Sequence, residues 1–414
     1  MSPAVTNDPE LDALLLSPDY IESPYAVYDR LRERHPVFWS AQWQAWLLTR
    51  YDDVRAVLKD YNRFSNRGRY TEYLSGLSAD ERAQLAYLEH HYEHGGLVQS
   101  DPPEHTRLRK LISHAFTPRM IERMRGLVER IVDELIEGLD GKPEIDLIRE
   151  FAFPLPAIVI AGMLGVAPEE RNQFKDWSSA IQRFLGSGKV NFEYGLASQE
   201  AWRSMNDHFA ALLAARRAEP REDLVSLMAA ASEDGDRLSE GELIRTCGAM
   251  LVAGHETTTN LISNAIWLLL RHPDQLERLR NDPSLYPAAV EEFLRYESPF
   301  QSAPRTLKED VGIRGQTMRK GQLAYVMLGA ANRDPDRFAH PEDLDITRQD
   351  NKQLAFGHGI HMCLGASLAR LEGPIAIRAL LERFPAMRLD PARPPIWKKS
   401  MVQRGMKRFD LPLR

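Results

Sequence analysis

Residues 356–365, which read FGHGIHMCLG, constrain this chain most, because they place one cysteine on a glycine-rich turn directly before an apolar helical pattern. Gly357 and Gly359 can adopt backbone angles that are closed to other residues, so the turn can fold tightly and leave the Cys363 sulfur facing outward. Helical spacing follows at Leu364, Leu368, Leu371 and Ile375. A helix N-terminus favours a thiolate over a thiol. The segment therefore predicts a site for a soft metal.

A structural zinc site is an alternative interpretation of this loop, with His358, His361 and Cys363 as ligands. A closed zinc site needs four ligands, usually in two separated pairs. The other cysteine of the chain, Cys247, lies inside a long apolar helical segment. A buried cysteine that acts only as a small hydrophobic side chain is the second alternative.

The pattern Phe356-Gly-x-Gly-x-His361-x-Cys363-x-Gly365 resembles the haem-binding loop of the cytochrome P-450 family, the haem-thiolate monooxygenases. Every characteristic position is filled. The resemblance implies haem b (iron protoporphyrin IX), with Cys363 as the proximal ligand of the iron. It also implies the cytochrome P-450 fold, which is mainly α with small β-sheets and encloses the haem.

Composition and charge narrow the class further. The chain has 414 residues, 43% of them hydrophobic, and a formal charge of -6 without a long basic block, which argues against nucleic acid as a partner. Two cysteines in no paired pattern suit a reducing compartment, and no N-terminal segment reads as a membrane anchor. We expect a cytoplasmic protein. Because eukaryotic members of the resembled family usually carry a membrane anchor, the resemblance implies a bacterial-type soluble enzyme.

Helical patterns outnumber strand-like ones along the chain. We expect two helices between residues 101 and 148, further helices at 151–164, 168–184, 197–218 and 239–270, a hairpin from 37–39 and 46–48, and strands within 310–326. No repeat, low-complexity tract or flexible linker divides the chain. We therefore predict that residues 1–414 form a single haem-thiolate monooxygenase domain without a fused reductase or ferredoxin domain.

The predicted helix 239–270 is interrupted at its middle by the small and polar residues Ala253-Gly254-His255-Glu256-Thr257-Thr258. Ala253 and Thr257 share a helical face, and Gly254 weakens the helix by about 1 kcal/mol relative to alanine. Such a weak point can open a groove for oxygen and water beside a flat cofactor. A polar break facing solvent, or a threonine bonded back to the helix, is the alternative. The segment resembles the family's oxygen-activating motif, which implies proton delivery by the acid Glu256 and the hydroxyl of Thr257.

Two cations on one helical face, His105 and Arg109, follow the N-cap and prolines of Asp101-Pro102-Pro103. Such a pair suits an anion. The segment resembles the family's helix that reaches the haem propionates, and Arg305 and His361 match the remaining propionate partners. The cofactor-binding residues implied by the resemblance are His105, Arg109, Ala253, Arg305, Phe356, His361, Cys363 and Gly365.

Glu292 and Arg295 lie three residues apart on one predicted helical face and can form an ion pair. Pairs at this spacing are usually surface salt bridges of little energetic weight. They match the family's Glu-x-x-Arg motif, and Arg337 matches the arginine that completes a buried triad. The resemblance implies that Glu292, Arg295 and Arg337 have a structural role.

The substrate pocket is assigned by family position to mostly apolar residues, which implies a hydrophobic substrate. Gln301 and Ser302 are the clear polar positions in this set and would orient the substrate through hydrogen bonds. Arg67, Arg69 and Arg183 are an alternative, as partners for a substrate carboxylate. The full set is Leu97, Val98, Met250, Leu251, Phe300, Gln301, Ser302, Ala303, Met401 and Val402.

The resemblance implies a monooxygenase that inserts one oxygen atom of O2 into a fatty acid, terpenoid, steroid or polyketide. No flavin or nicotinamide fingerprint and no cysteine cluster appears, so separate ferredoxin and ferredoxin reductase partners are implied. Arg109, Lys110 and Arg370 are candidate contacts for an acidic ferredoxin. A peroxygenase that uses hydrogen peroxide and a haem-based gas or ligand sensor without turnover are the alternatives, and the Glu256-Thr257 pair counts against both.

Overall fold

The protein is described here by a computed structural model that covers residues 8–15, 17–68, 74, 76–94, 96–186, 191–233 and 235–414. Helix is far more abundant than strand in it, as predicted. The helices are α1 (Pro9–Leu14), α2 (Pro18–Glu22), α3 (Tyr25–Arg34), α4 (Tyr51–Lys59), α5 (Ala79–Gln84), α6 (Ala86–Glu93), α7 (Glu104–Ala115), α8 (Pro118–Arg123), α9 (Arg125–Glu137), α10 (Pro154–Met163), α11 (Arg171–Gly186), α12 (Phe192–Ala218), α13 (Leu224–Ala230), α14 (Glu240–Arg271), α15 (Pro273–Asn281), α16 (Tyr286–Tyr296), α17 (Leu328–Ala331) and α18 (Ala366–Arg383).

The strands form one five-stranded sheet and several two-stranded ribbons. In the larger sheet the order is β1-β2-β10-β7-β3, with β2 and β10 parallel and the other neighbours antiparallel. The strands are β1 (Val37–Ser40), β2 (Ala45–Leu48), β3 (Phe64–Ser65), β4 (Glu144–Asp146), β5 (Ser232–Glu233), β6 (Asp236–Arg237), β7 (Ser302–Leu307), β8 (Val311–Ile313), β9 (Gln316–Met318), β10 (Leu323–Met327), β11 (Ile396–Trp397), β12 (Met406–Arg408) and β13 (Asp410–Pro412).

Several predicted elements are confirmed, but side-chain caps give some helices starts that the sequence pattern did not predict. The hairpin is present as β1 and β2. The region expected to hold two helices contains three, because the Thr117 side chain accepts a hydrogen bond from the backbone N–H of Met120 and caps an additional short helix, α8. Helix α12 begins earlier than predicted, since Asn191 caps it by accepting from the N–H of Tyr194.

The longest helix, α14, crosses the core beside the other long helices. Its start is fixed by a capping box, in which the Ser239 hydroxyl accepts from the N–H of Glu242 and the Glu242 carboxylate accepts from the N–H of Ser239. Buried residues occur on most of its faces, as expected for a helix surrounded by protein. Helix α14 contains one of the motifs predicted to carry chemistry, and α18, which contacts it, directly follows the cysteine loop.

Buried apolar side chains form a large cluster among the helices and two smaller ones around the five-stranded sheet. Strand β7 brings Ala303, Pro304 and Arg305 from the sheet toward α14 and the cysteine loop. Within the described ranges, no helix combines the length and apolar character needed to cross a bilayer.

Candidate active site

The cysteine loop is a tight turn held by its own backbone. Cys363 lies between the turn Gly359–His361 and helix α18, and its N–H donates to the carbonyl oxygen of Phe356 at 2.8 Å. Gly359 has a φ of 74°, in the left-handed region. A Cβ at this position would lie 2.6 Å from the carbonyl oxygen of Leu58. Glycine is therefore required here both for backbone conformation and for the close approach of α4.

The Cys363 side chain faces a cavity in front of helix α18. Burial raises the pKa of its thiol above the ordinary value, whereas hydrogen bonds from the backbone amides of Gly365 and Ala366 and the charges of Arg109 and Arg370 act in the opposite direction. The helix N-terminus thus stabilises the thiolate, as the sequence predicts, but burial has the larger effect on the pKa of the thiol. A bound metal cation would supply the missing positive charge.

The cavity has a volume of about 460 Å³ and joins the cysteine loop to helix α14 and the C-terminal segment. Its lining is mostly apolar. On the α14 side it is bordered by Ala253, Gly254 and Thr257, the small and polar residues that interrupt this helix. The groove predicted at this interruption is therefore open to the same space as Cys363.

Thr257 and its neighbour Glu256 point to different surroundings. The Thr257 hydroxyl borders the cavity and donates to the carbonyl oxygen of Ala253 at 3.1 Å. The Glu256 carboxylate is instead bonded to Nζ of Lys398 at 2.7 Å, and it lies outside the cavity lining. The structure therefore places the predicted hydroxyl at the cavity and the predicted acid behind it, against the C-terminal segment.

The four basic residues that were predicted to bind carboxylates come together on one side of this cavity. Arg109, Arg305 and His361 line it, and the ring of His105 lies 4.2 Å from that of His361, centroid to centroid. His105 is buried, and within the described part of the chain neither of its ring nitrogens has a hydrogen-bond partner. Burial, followed by the charge of Arg109, lowers the pKa of His105 to about 4.

This arrangement fits a haem. The buried Arg305, the partly buried Arg109 and the unpartnered imidazole of His105 beside one cavity are suited to the propionates. A carboxylate would accept a hydrogen bond from the imidazole and offset the cost of burying the guanidinium charge. Cys363 supplies a sulfur to the same cavity, and the flanking Ala253 and Gly254 leave room for a flat group. Phe356 and Gly365 also border it.

Most of the predicted substrate-pocket residues line the cavity. Leu97 and Val98 come from the turn before α7, Met250 from α14, and the rest from β7, the residue pair before it and the C-terminal segment. The predicted residues that line the cavity are Leu97, Val98, Met250, Phe300, Ala303, Met401 and Val402.

Leu251, Gln301 and Ser302 depart from the prediction, because all three are buried away from the cavity surface. Leu251 packs into the main hydrophobic cluster on another face of α14 than Met250. The Gln301 amide accepts from the Tyr28 hydroxyl at 3.0 Å and donates to a backbone carbonyl. The Ser302 hydroxyl donates to the carbonyl oxygen of Met401 at 3.0 Å. The two expected polar substrate contacts are thus engaged in holding the chain together.

Glu292 and Arg295 form the predicted ion pair, fully buried and bidentate, with both N–O distances at 2.8 Å. The third member differs from the prediction. Arg348 contacts the Glu292 carboxylate at 3.2 Å, while Arg337 pairs with the exposed Asp350. Arg337 lies in a turn closed on the carbonyl oxygen of Asp334, and its side chain lies over the rings of Tyr51 and Phe338, so its match to the family triad by position does not hold in space.

The arginines considered for other roles are engaged locally. Arg67 pairs with Glu104, and Arg183 lies over the ring of Tyr194, while Arg69 falls outside the described residues. Among the candidate ferredoxin contacts, Arg109 donates to the carbonyl oxygen of Met362, and Arg370 pairs with Glu291 at 2.6 Å.

The cavity residues that the sequence analysis missed include two glutamines, Gln182 on α11 and Gln403 in the C-terminal segment. Gln403 follows the predicted pocket residues Met401 and Val402, and this adjacency was an available signal. For Gln182 the sequence offered none, because an isolated glutamine on an amphipathic helix usually faces solvent.

A model of the family described as Cytochrome P450 matches residues 14–409. The chain belongs to the cytochrome P450 family. This P450 is 44% identical over 372 residues to Cytochrome P450 107B1 of Saccharopolyspora erythraea, which covers 89% of each chain. It is 41% identical over 414 residues to Cytochrome P450 monooxygenase PikC of Streptomyces venezuelae, covering 98% of this chain and 94% of that protein.

Solved P450 structures confirm the fold. The polyketide synthase cytochrome P450 PksS of Bacillus subtilis superimposes with a TM-score of 0.85 at 35% identity, covering 96% of this chain and 99% of that one. P450BioI, solved with an acyl carrier protein ligated to hexadec-9Z-enoic acid, gives a TM-score of 0.86 at 37% identity, covering 96% and 100%. This P450 is therefore a monooxygenase that binds haem b and acts on a hydrophobic substrate with O2 and electrons from a redox partner.

Proposed function

We propose that this P450 inserts one oxygen atom of O2 into an unactivated C–H bond or a double bond of a hydrophobic terpenoid, steroid, fatty acid or polyketide. The observation that carries the proposal is the cavity that joins Cys363 to a wall of apolar side chains. Relatives named Vitamin D(3) 25-hydroxylase and 6-deoxyerythronolide B hydroxylase, at 40% and 39% identity, support a large apolar substrate. For hydroxylation, R–H, O2, two electrons and two protons give R–OH and water.

Each side chain at the cavity has a distinct role in this proposal. Cys363 would hold the haem iron, and the cluster of His105, Arg109, Arg305 and His361 would hold the propionates. The haem supplies the binding and reductive activation of O2. The apolar walls exclude water and hold the substrate by burial of its surface.

Proton delivery is proposed to pass through Thr257, whose hydroxyl borders the cavity. A hydroxyl both donates and accepts hydrogen bonds. The Thr257 hydroxyl can therefore pass its proton to a group in the cavity and accept another proton from the side of the helix that faces away from the cavity. Glu256 of α14 and Lys398 of the C-terminal segment, which form an ion pair, are the proposed source. Glu256 would then act by exchanging its lysine partner for water or for Thr257.

We further propose that the electrons come from a separate ferredoxin and ferredoxin reductase, that residues 1–414 form one domain, and that the protein works in the cytoplasm. Both cysteines are free, which suits a reducing compartment. The match of the family over residues 14–409 supports one catalytic unit.

Terpenoids, steroids, fatty acids and macrolides are first screened for binding by the change that each causes in the spin state of the haem. The reaction class is then tested with the compound that binds most tightly. With ¹⁸O2, NADPH, a bacterial [2Fe–2S] ferredoxin and its reductase, we expect product that carries one ¹⁸O atom. The control replaces the electron donors by hydrogen peroxide. Equal or faster product formation with peroxide alone would identify a peroxygenase, and binding without product in both mixtures would favour a sensor.

Replacing Thr257 by alanine is expected to preserve haem content and substrate affinity but to divert most of the electrons into hydrogen peroxide, because proton delivery at the cavity is impaired. Loss of one positioned proton donor is worth about 100-fold in rate. The measurement is the ratio of product formed to NADPH consumed. The matched control is Thr259→Ala, since Thr259 also bonds back to α14 but is buried away from the cavity. Unchanged coupling in Thr257→Ala would remove Thr257 from proton delivery.

A further inference from the structure

Two glutamine side chains form a short hydrogen-bonded chain at the cavity wall. Nε2 of Gln403 donates to Oε1 of Gln182 at 3.1 Å, and Nε2 of Gln182 donates to the carbonyl oxygen of Val252 at 2.8 Å. Both glutamines line the cavity, and Val252 precedes Ala253 on α14. The chain of amides therefore ends at Gln403, a residue of the cavity wall.

The direction of this chain follows from the donor and acceptor inventory alone. The carbonyl oxygen of Val252 can only accept, so the Gln182 amide must present its nitrogen to it. Its oxygen then faces Gln403, which must present its own nitrogen in turn. If the Gln403 amide were flipped, two oxygens would face each other without a proton between them. The geometry thus requires Nε2 of Gln403 to donate to Gln182, and Oε1 of Gln403 becomes the acceptor at the end of the hydrogen-bonded chain.

Gln403 is carried by a well-anchored stretch of backbone. Its N–H donates to the Ser400 hydroxyl at 3.1 Å, and it pairs with Phe300 in a β-bridge. The flanking residues Val402 and Arg404 are also hydrogen bonded, to the backbone of Gln301 and Pro299. A side chain on such a segment can hold a ligand at a defined position.

Within the described part of the chain, no donor reaches Oε1 of Gln403. Elsewhere on the lining, the hydroxyls of Thr246 and Thr257 donate to backbone carbonyls, and within the described residues Oδ1 of Asn66 is a second acceptor without a hydrogen-bond partner. Binding is weakened when a ligand displaces water from an acceptor in an apolar cavity and leaves that acceptor without a hydrogen bond. The two amide hydrogen bonds behind it polarise Oε1 and make it a stronger acceptor.

We propose that Gln403, oriented by Gln182, is a substrate-binding residue that accepts a hydrogen bond from a hydroxyl group of the hydrophobic substrate. The inference rests on the proposed function and adds a chemical requirement to it. Substrates that carry a hydroxyl are preferred over ketones or ethers of the same skeleton. Because the anchor is fixed, it also limits which carbon atoms can lie near Thr257, and so contributes to regioselectivity.

The test uses two ring compounds that differ in a single polar group, cyclododecanol and cyclododecanone. Dissociation constants are measured on the haem-containing protein by isothermal titration calorimetry. The alcohol is expected to bind about 10-fold more tightly than the ketone, which is the value of one hydrogen bond with a good acceptor. In Gln403→Met, which keeps the length of the side chain, the two compounds should bind with nearly equal affinity.

Gln182→Met separates orientation from contact. It keeps the Gln403 acceptor but lets its amide turn, so the preference for the alcohol should fall to between that of the wild type and that of Gln403→Met. Met401→Leu is the matched control, because Met401 lines the same cavity on the same segment without a polar group. This variant should keep the wild-type preference. Haem content and circular dichroism confirm that each variant is folded.

The proposal is overturned if the wild-type protein binds neither compound, binds both equally or prefers the ketone, or if the preference survives in Gln403→Met. Product formation with O2 and the electron donors is measured separately. A preference for the alcohol without any oxygenated product would support the anchor and reject the proposed reaction. Oxygenated product with equal affinities would reject the anchor alone.

Discussion

Replacing Cys363 by serine is expected to abolish monooxygenase activity and to remove the strongly red-shifted Soret band of the reduced, carbon monoxide-bound protein. The hydroxyl of serine is a far weaker donor of electron density than a thiolate, so the property that favours O–O cleavage is lost. Changes to residues that only orient a metal ligand already cost 10–100-fold. Loss of the ligand itself should lower the product rate by more than about 100-fold. The measurements are the absorption spectrum and the rate of product formation.

The matched control is Cys247→Ala, because Cys247 is the other cysteine of the chain and lies fully buried in the main hydrophobic cluster. Burial raises the pKa of its thiol, which is thus kept neutral. This variant should keep the spectrum of the wild-type protein. A thiolate-type spectrum that persists in Cys363→Ser and disappears in Cys247→Ala would reverse the ligand assignment.

The cysteine loop and the interrupted helix could be predicted from the sequence because both depend on local chemistry. The glycines at 357 and 359 have positive φ, as a tight turn requires, and Cys363 directly precedes α18 as expected. The small residues of α14 border the cavity for the reason that the sequence suggested, namely the absence of bulk on one helical face. In such motifs the neighbours in space are also neighbours in sequence.

The polar contacts of the pocket could not be predicted, since they depend on pairings between distant segments. Gln301 is adjacent in sequence to cavity residues, yet the hydroxyl of Tyr28, from the N-terminal region, holds its amide away from the cavity. Gln182 and Gln403 are separated by more than half the chain and meet only because α11 and the C-terminal segment close over α14. Periodicity indicates which face of a helix is buried, but not which distant residue it contacts.

The pairing of Arg337 differs from the expected triad for the same reason, and this difference leads to the second prediction. Arg295→Met is expected to destabilise the protein by about 3–5 kcal/mol, because it leaves the Glu292 carboxylate buried without its main partner. Arg295 also donates to the backbone carbonyls of Asn332, Pro341 and Asp343, which would lose a shared donor and release the segment before the cysteine loop. The measurement is the midpoint of urea unfolding followed by circular dichroism.

Two matched arginine variants test which arginine stabilises the Glu292 carboxylate. Arg337 is the one expected from the sequence, and Arg348 is the one that contacts Glu292 in the structure. Arg348→Met should be clearly destabilising, because Arg348 is mostly buried, contacts Glu292 and donates to the carbonyl oxygen of Ala339. Arg337→Met should cost less than about 1 kcal/mol, since its partner Asp350 is exposed and the pair is screened by solvent. If Arg337→Met proved as damaging as Arg348→Met, the triad inferred from the sequence would be correct and the observed pairing of Glu292 with Arg348 would have to be abandoned.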